Sequence, residues 1–185
     1  MKFCSQCGAL VSRRTPAGDT HERYVCDACQ AIHYQNPKMV VGCIPEWEDR
    51  ILLCRRAIEP RVGLWTLPAG FMELRETTAQ AAAREALEEA NACIEIGDLH
   101  TLYNLPHIDQ VYLIYRGRLL SLDYAPGEES LEVQLFREAD IPWEQIAFPA
   151  VAYALQHYFS DRRLGQYSLH HGVHNASQPY DLGHI

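Results

Sequence analysis

Three glutamates are spaced so that they fall on one face of a predicted helix. Glu85, Glu88 and Glu89 are three and four positions apart, and residues at that spacing are neighbours on a helix. Three carboxylates held together repel one another and raise their own pKa values unless a cation lies among them. A solvated acidic face is the ordinary explanation of such a stripe. The alternative is a site that binds cations.

Two features favour the cation site over a solvated face. Arg84 is placed to pair with Glu88 one helical turn on, and it can reach back toward Glu76. A glycine-containing loop precedes the helix, so a backbone carbonyl can face the same point as the carboxylates. Hard oxygen donors in this number suit Mg²⁺ or Mn²⁺, which bind a few carboxylates together with substrate phosphates. The pattern therefore indicates divalent cations for a phosphate-bearing substrate.

A second constellation consists of two cysteine pairs near the start. Cys4, Cys7, Cys26 and Cys29 form a C-x2-C…C-x2-C pattern with eighteen residues between the pairs, which is typical of a four-cysteine zinc site. Two disulfides, or iron in place of zinc, remain alternatives. Four thiolates leave no open coordination position, so we expect Zn²⁺ here to be structural. About 35 residues cannot bury a sufficient core, and the metal would supply the folding energy.

Composition and charge limit the class of protein. The chain has 185 residues, enough for one domain of ordinary size with a small addition. Its 24 acidic residues exceed its 16 basic ones, which makes a large nucleic-acid surface unlikely to form. No apolar run approaches the ~20 residues of a membrane helix, and the start MKFCSQCGAL lacks the core of a signal peptide. We therefore expect a cytoplasmic protein that does not enter a membrane.

The patterning divides the chain into a zinc ribbon (1–36), a main domain (37–163) and a C-terminal tail (164–185). Six apolar runs of the main domain predict strands: KMVVGCIPEW, RILLCRR, LWTLPAGF, CIEIGDLHTLYNL, QVYLIYRGRLL and LEVQLFR. Two helices are predicted, TTAQAAAREALEEANA and PAVAYALQHYFSDRR. The interleaving of strands and helices predicts a mixed α/β fold.

Local signals mark the helix ends. Thr77 and Gln80 form a capping-box signature, and Asn91 stands where a left-handed terminating residue is expected. Pro149 is placed at the first turn of the second helix. The three cysteines outside the ribbon lie in or beside predicted strands, and we expect all of them to be buried packing residues: Cys43, Cys54 and Cys93.

The tail is polar and bears four histidines, His170, His171, His174 and His184. Its composition predicts a peripheral segment. The alternative is a segment that folds over the active site or a partner subunit, and the sequence does not decide between the two.

The carboxylate helix, with its loop, resembles a known family signature. The pattern Gly70-x5-Glu76-x7-Arg84-Glu85-x2-Glu88-Glu89 is similar to the Nudix box, which identifies hydrolases of nucleoside diphosphates linked to another moiety. Asn91 replaces the closing glycine, and Ala86 replaces a bulky aliphatic residue. The resemblance implies an α-β-α sandwich around a mixed sheet, which agrees with the fold predicted from the patterning.

The resemblance also implies roles. It makes Glu85, Glu88 and Glu89 ligands of the catalytic metal, completed by the backbone carbonyl of Ala69 or Gly70. The same analogy makes Glu76 and Arg84 an ion pair that orients the helix and the loop. A further family glutamate comes from a later segment, where EVQLF occupies the equivalent place. Glu132 is therefore the candidate ligand or general base, with Glu128 and Glu129 as substitutes.

Beyond the box, the ribbon, YQNPKMVVGC, GLWTLPAGF and APGEESLEVQLF resemble the zinc-ribbon Nudix group that includes plastid FAD-hydrolysing enzymes of plants. This implies hydrolysis of FAD to FMN and AMP, or of ADP-ribose. Pro106, fifteen residues past Asn91, is typical of the ADP-ribose-cleaving members. Aromatic and basic residues are available to bind such a substrate, with plain packing or surface roles as the alternative: Trp65, Phe71, Tyr103, Tyr112, Arg55, Arg56 and Arg61.

Three other functions remain. NADH pyrophosphatase also joins a zinc ribbon to a Nudix box, but its S-Q-P-W motif is absent after this box, and SQPY at 177–180 lies far downstream. A nucleotide sensor on the same scaffold usually loses box carboxylates, which this chain keeps. The ribbon has only a small excess of basic residues, which argues against a zinc ribbon that binds nucleic acid. Family precedent implies a homodimer.

Overall fold

The computed structural model of the protein describes residues 1–174, which belong to two compact units. The first unit is Met1–Pro37 and the second begins at Lys38. Three short strands make the antiparallel sheet of the first unit in the order β1-β2-β3: β1 (Val11–Arg14), β2 (Arg23–Cys26) and β3 (Ile32–His33).

The second unit is built on a mixed sheet with the order β10-β5-β4-β9-β8-β11, in which β6 also pairs with β5 and β7 with β4. Its strands are β4 (Lys38–Trp47), β5 (Arg50–Arg56), β6 (Trp65–Thr66), β7 (Ala69–Phe71), β8 (Ile94–Leu105), β9 (Gln110–Leu119), β10 (Ser130–Arg137) and β11 (His170–Val173). Two pairs, β4 with β9 and β8 with β11, are parallel. Five of the six predicted runs each form one strand, whereas LWTLPAGF is divided between two short strands, β6 and β7.

Two helices, α1 (Thr78–Ala90) and α2 (Pro149–Leu164), pack on the sheet, and three short 3-10 turns occupy Pro106–Ile108, Glu138–Asp140 and Trp143–Gln145. Successive residues of a strand point to opposite faces of a sheet. Val40 and Ile44 of β4 belong to the core formed with α2, whereas Val41 and Cys43 pack against alanines of α1. Both faces are covered, and this explains why β4 reads as a continuous apolar run.

One of the predicted buried cysteines is not buried. Cys43 and Cys54 lie in the core at 0% and 1% exposure, as expected. Cys93 is exposed, because it falls between the end of α1 and the start of β8 rather than within either.

The prediction of a peripheral tail is wrong for its first part. Residues His170–Val173 form β11, which pairs in parallel with β8 in a register that sets His170 opposite Thr101. The side-chain amide of Asn104 donates to the carbonyl of Gly172 at 3.1 Å and reinforces the pairing. His184 and the SQPY segment lie outside the described residues.

The loop between β9 and β10 is docked on the C-terminal end of α1. The amides of Ala125 and Gly127 donate to the carbonyls of Ala90 and Glu89, each at 3.0 Å. The Asn91 side chain donates to the carbonyl of Ala125 at 3.1 Å. These bonds satisfy carbonyls that a helix end leaves without intrahelical partners. They also hold the residues that follow, Glu128 and Glu129, beside the helix.

Replacement of Gly127 by alanine tests this docking. A Cβ at position 127 would lie 1.8 Å from the carbonyl oxygen of Glu88, so the loop or the helix must shift. We expect Gly127→Ala to lower the free energy of unfolding by about 1–3 kcal/mol, as other overpacked substitutions do. Urea unfolding measures the change. In the matched control Gly97→Ala, the new Cβ meets its nearest atom, the Arg116 carbonyl oxygen, at 3.4 Å. Equal stability of the two variants would contradict the tight docking.

Candidate active site

Arg84, in the middle of α1, is the centre of a carboxylate network. Its guanidinium donates to both oxygens of Glu76, at 3.0 and 2.8 Å, to Glu85 at 2.7 Å and to Glu88 at 2.8 Å. It also donates to the carbonyl of Phe71 at 3.1 Å, so one side chain ties α1 to the loop after β7. The predicted pairs with Glu76 and Glu88 are confirmed. The hydrogen bonds from Arg84 hold the pKa of Glu76 at about 2.

The helix that carries these residues begins and ends where the sequence predicted. The Thr77 hydroxyl accepts from the Gln80 amide at 3.2 Å, and the Gln80 side chain accepts from the Thr77 amide at 2.8 Å, which completes the capping box. Asn91 adopts the left-handed conformation with a φ of 47° and ends the helix as the glycine of the box would. The two departures from the box, Asn91 in place of glycine and Ala86 in place of a bulky aliphatic residue, therefore change neither end of the helix.

Two of the three glutamates are buried against the sheet. Glu85 and Glu89 are 8% and 6% exposed, whereas Glu88 faces outward. Glu89 accepts a hydrogen bond from the Ala69 amide at 3.3 Å. A Cβ at Gly70 would lie 2.4 Å from the Glu85 carboxylate, so a larger residue there would displace this carboxylate from the β7 backbone. The structure thus places Glu85 and Glu89 at the Ala69–Gly70 backbone, and Glu88 lines the same cavity.

Burial makes this pair of carboxylates hard to ionise without a cation. Removal from water, together with the neighbouring Glu85 carboxylate, raises the pKa of Glu89 to about 8. Burial also raises the pKa of Glu85, although the hydrogen bond from Arg84 opposes the effect. Buried carboxyl groups beside the Ala69–Gly70 backbone offer the oxygen donors expected of a divalent-cation site, and a bound cation would favour their ionised form. The residues present therefore fit the predicted metal.

The glutamates form one wall of a cavity of about 990 Å³. The acidic wall consists of Glu85, Glu88, Glu89, Glu128 and Glu129, with Arg56, Arg61 and Arg84 nearby. The other wall is apolar and aromatic: Val40, Phe71, Leu105, Ile108, Tyr112, Phe148, Pro149 and Ala150, with His107 and His174. A cavity of this size, with one charged side and one aromatic side, suits a ligand with a phosphate part and a ring part.

Of the substrate contacts predicted from the sequence, Phe71 and Arg56 line the cavity. Phe71 is 48% exposed there, with the Lys38 ammonium 4.9 Å from its ring centre. Arg56 also lines it, held by bonds to the carbonyls of Pro60 and Ile58 at 2.8 and 3.4 Å. Of the further residues considered, Tyr112 and Arg61 also lie on its walls.

The other three do not line the cavity, and their predicted role is corrected. Trp65 is buried in the core, edge-on to Phe136 with ring centres 4.9 Å apart. Tyr103 is 8% exposed and packs on Tyr153 with ring centres 4.6 Å apart. Arg55 donates to the Gly63 carbonyl at 2.9 Å and pairs with a glutamate of the adjacent strand. Each of these residue types can contact a ligand, but here each side chain makes contacts within the protein instead.

The structure also changes the candidate for the further metal ligand or general base, which was Glu132 of the EVQLF segment. Glu132 lies on β10, where it pairs with Arg55 at 3.6 Å, and it is not among the residues that line the cavity. Glu128 and Glu129, from the docked loop, do line it. Glu129 is close enough to raise the pKa values of both Glu85 and Glu89. The geometry therefore favours Glu129 over Glu132 as the fourth carboxylate.

Sequence reasoning missed His107 and Phe148 and left His174 undecided between two roles. The rings of His107 and His174 lie 5.3 Å apart on the wall facing the carboxylates. His174 reaches it because β11 pairs with β8, and its amide donates to the Asn104 carbonyl at 2.8 Å. No spacing relates positions 107, 148 and 174, so only the three-dimensional fold could show that they meet.

The four cysteines of the first unit converge. Three sulfur–sulfur distances are 3.4, 3.5 and 3.7 Å. They are far longer than the ~2.05 Å of a disulfide and close to the ~3.8 Å edge of a tetrahedral site with Zn–S bonds of about 2.3 Å. The two pairs have the same turn, since Gly8 and Gln30, each following a second cysteine, have φ values of 75° and 59°. The donor set therefore fits a structural metal.

A layered α-β-α sandwich with a carboxylate helix and a glycine loop beside a cavity defines the class, and comparison with known proteins agrees. A family model described as the NUDIX domain matches residues 36–156. The chain belongs to the Nudix family. A second model, described as Nudix N-terminal and named for its zinc ribbon, matches residues 2–35, so this member carries the ribbon as well.

Three proteins show the range of similarity. A NUDIX hydrolase from Nitrosomonas europaea superposes with a TM-score of 0.92 at 59% identity, covering 95% of this chain and 99% of that one. An ADP-ribose pyrophosphatase of Methanocaldococcus jannaschii is 29% identical over 59% of this chain and 67% of its own. The NAD-capped RNA hydrolase NudC of Edwardsiella ictaluri is 30% identical over 75% of this chain and 50% of its own. The chain thus spans about half the length of the NudC relatives.

Within residues 1–174, none of the helices has the length and apolar character needed to cross a bilayer.

The buried glutamates predict a pH dependence of stability in protein freed of magnesium. Because the pKa of Glu89 is raised from 4.5 to about 8 in the folded state, the folded protein retains a proton that the unfolded chain has lost. Stability should therefore be greatest below pH 4.5 as far as this group is concerned, and should fall as pH rises toward 8. Urea unfolding at pH 6 and pH 8 measures the fall, and Glu89→Gln should reduce it. A fall of the same size in Glu89→Gln would assign it to other groups.

Proposed function

We propose that this protein hydrolyses the diphosphate linkage of a nucleoside diphosphate derivative, with ADP-ribose as the first candidate substrate. The observation that carries the proposal is that Glu85, Glu88 and Glu89 line one large cavity, with Glu85 and Glu89 against the Ala69–Gly70 backbone. The ADP-ribose pyrophosphatase name of the Methanocaldococcus jannaschii relative supports the substrate.

The carboxylates would hold Mg²⁺ or Mn²⁺, and the carbonyl of Ala69 or Gly70 would complete the set. A bound divalent cation screens the charge of the diphosphate, stabilises the charge that develops on the phosphoryl oxygens and lowers the pKa of a coordinated water. Arg84 keeps the glutamates at fixed positions and so limits their rearrangement during the reaction. Zn²⁺ would occupy the four-cysteine site and stabilise the ribbon. A homodimer, expected from family precedent, is tested by sedimentation velocity.

The remaining residues of the cavity divide between the proton and the substrate. Glu129 lies where it could accept the proton of the attacking water. Arg56 and Arg61 offer cations to the phosphates. Phe71 and Tyr112 offer ring faces on which an adenine can stack. The substrate would thus lie with its phosphates toward the acidic wall and its base toward the aromatic wall.

The NudC relatives favour a second candidate, the diphosphate of NAD, either free as NADH or at the end of an RNA. Two NudC proteins are 30% identical to this chain over 75% and 76% of its length. FAD shares the same adenosine diphosphate half. Its choice depends on the resemblance to plastid enzymes alone, so it stays a prediction for the same assay.

Product analysis tests the reaction and the substrate together. The purified protein with magnesium should release AMP and ribose 5-phosphate from ADP-ribose. The double variant Glu88→Gln, Glu89→Gln should lose at least a hundredfold in kcat, because the cation loses two of its carboxylates. Chromatography of the products, with NADH, FAD and NAD-capped RNA in parallel, gives the specificity. Undiminished turnover by the variant would reject the metal helix, and cleavage of NADH alone would change only the substrate.

The identity of the fourth carboxylate is tested by a matched pair of variants. Glu129→Gln should lower kcat by about tenfold or more with little change in KM, since general acid–base groups contribute at least that much. Glu132→Gln should leave kcat nearly unchanged, because its side chain lies on the sheet with Arg55. Steady-state kinetics on ADP-ribose measures both. A larger loss in Glu132→Gln than in Glu129→Gln would restore the original assignment.

A further inference from the structure

A cluster of metal-ligand side chains lies away from the catalytic cavity, where α2, β8 and β11 meet. His100 comes from β8, Asp161 from α2 and His170 from β11. One ligand atom from each lies within 4.8 Å of the other two. His170 Nε2 is 2.8 Å from Asp161 Oδ2. None of the three residues is among those that line the catalytic cavity.

The buried imidazole of His100 is an unusual member of this cluster. His100 is 1% exposed, and neither of its ring nitrogens has a hydrogen-bond partner in the described part of the chain. A buried polar group without a partner costs free energy, and native proteins almost always satisfy such groups with protein, water or an ion. Neither Asp161 nor His170, although both lie close, forms a hydrogen bond with a ring nitrogen of His100.

The surroundings favour a metal over a proton. Burial and the neighbouring His170 together lower the pKa of His100 to about 4. Neutral imidazole is the form that binds metals. Tyr158 and Tyr167 meet the His100 ring edge-on at 6.1 and 6.2 Å, and His157 stacks on His170 at 4.1 Å. The shell of rings shields the cluster from water.

We propose that His100, Asp161 and His170 form a second metal site, which binds a transition-metal dication such as Zn²⁺. Two imidazoles and one carboxylate are a donor set that Zn²⁺ accepts, with a water in the fourth position. The ion joins three elements that are distant in sequence and fixes β11 against β8. Because His174 follows β11 directly, the site also braces the cavity wall to which His174 belongs. It needs neither the ribbon nor the catalytic carboxylates.

Zinc content tests the site without reference to activity. The full chain is expressed with zinc and dialysed against excess magnesium, which keeps the catalytic oxygen donors occupied by a hard ion. Plasma mass spectrometry should find two zinc ions per chain, one of them at the four cysteines. His170→Gln and Asp161→Asn should each retain one. Asp161→Asn keeps an oxygen that can accept from the Ser168 amide, a bond of 3.0 Å in the wild type, and so preserves the local fold.

The matched control is His171→Gln, an exposed neighbour on the same strand, which should retain both ions. Cobalt titration of the metal-free wild type gives a readout that needs no variant. With excess magnesium present to keep the catalytic carboxylates occupied, two Co²⁺ should bind per chain, only one of them with the near-ultraviolet charge-transfer absorption of thiolate ligands. A single equivalent with thiolate absorption alone would overturn the proposal. A zinc content of two in folded His170→Gln would also overturn the proposal, because the second zinc ion would then not depend on His170. The three side chains would in that case form a hydrogen-bonded cluster without a metal.

Discussion

The candidate site depends on one guanidinium among several carboxylates. Arg84 bonds Glu76, Glu85 and Glu88 and, through the Phe71 carbonyl, the loop that brings Gly70 to the helix. Without this cation, the carboxylates would repel one another and the loop would lose its link to α1. The planar fork of arginine serves several acceptors at fixed angles, which the point charge of a lysine cannot do. Arg84 therefore holds the carboxylates in place before a metal ion binds.

Close packing between α1 and the sheet also fixes the position of the carboxylates. Apart from Glu85 and Glu89, the buried face of α1 is made of alanines, including Ala82 and Ala86, which let the helix lie near β4. The replacement of a bulky residue by Ala86 fits this close approach. At Gly70 and Gly127, backbone and carboxylate or carbonyl come so near that no side chain fits. The small residues at these contacts set the distance between the carboxylates and the β7 backbone, and hence the size of the metal site.

The sequence predicted what local signals encode. The strands, both helices, the capping box, the left-handed Asn91 and the cysteine cluster follow from periodicity, capping chemistry and ligand spacing. Other features depend on where distant segments meet. Nothing local marks HHGV as a strand, because its pairing with β8 supplies the order. Trp65, Tyr103 and Glu132 have residue types suited to a site, and only the register of their strands shows that they face elsewhere.

The parallel pairing of β8 with β11 has a consequence for the order in which the protein is made. In the register that joins the two strands, His170 lies opposite Thr101, so the partners are separated by most of the sheet's sequence. On a ribosome, the segment that holds the acidic helix and its docked loop, residues 78–129, emerges well before β11 does. The acidic wall can therefore assemble while His174 is still unsynthesised, and the nascent domain should pass through a stage with an open, half-built cleft. Closure of that cleft waits for a long-range contact, which is the slow kind to form.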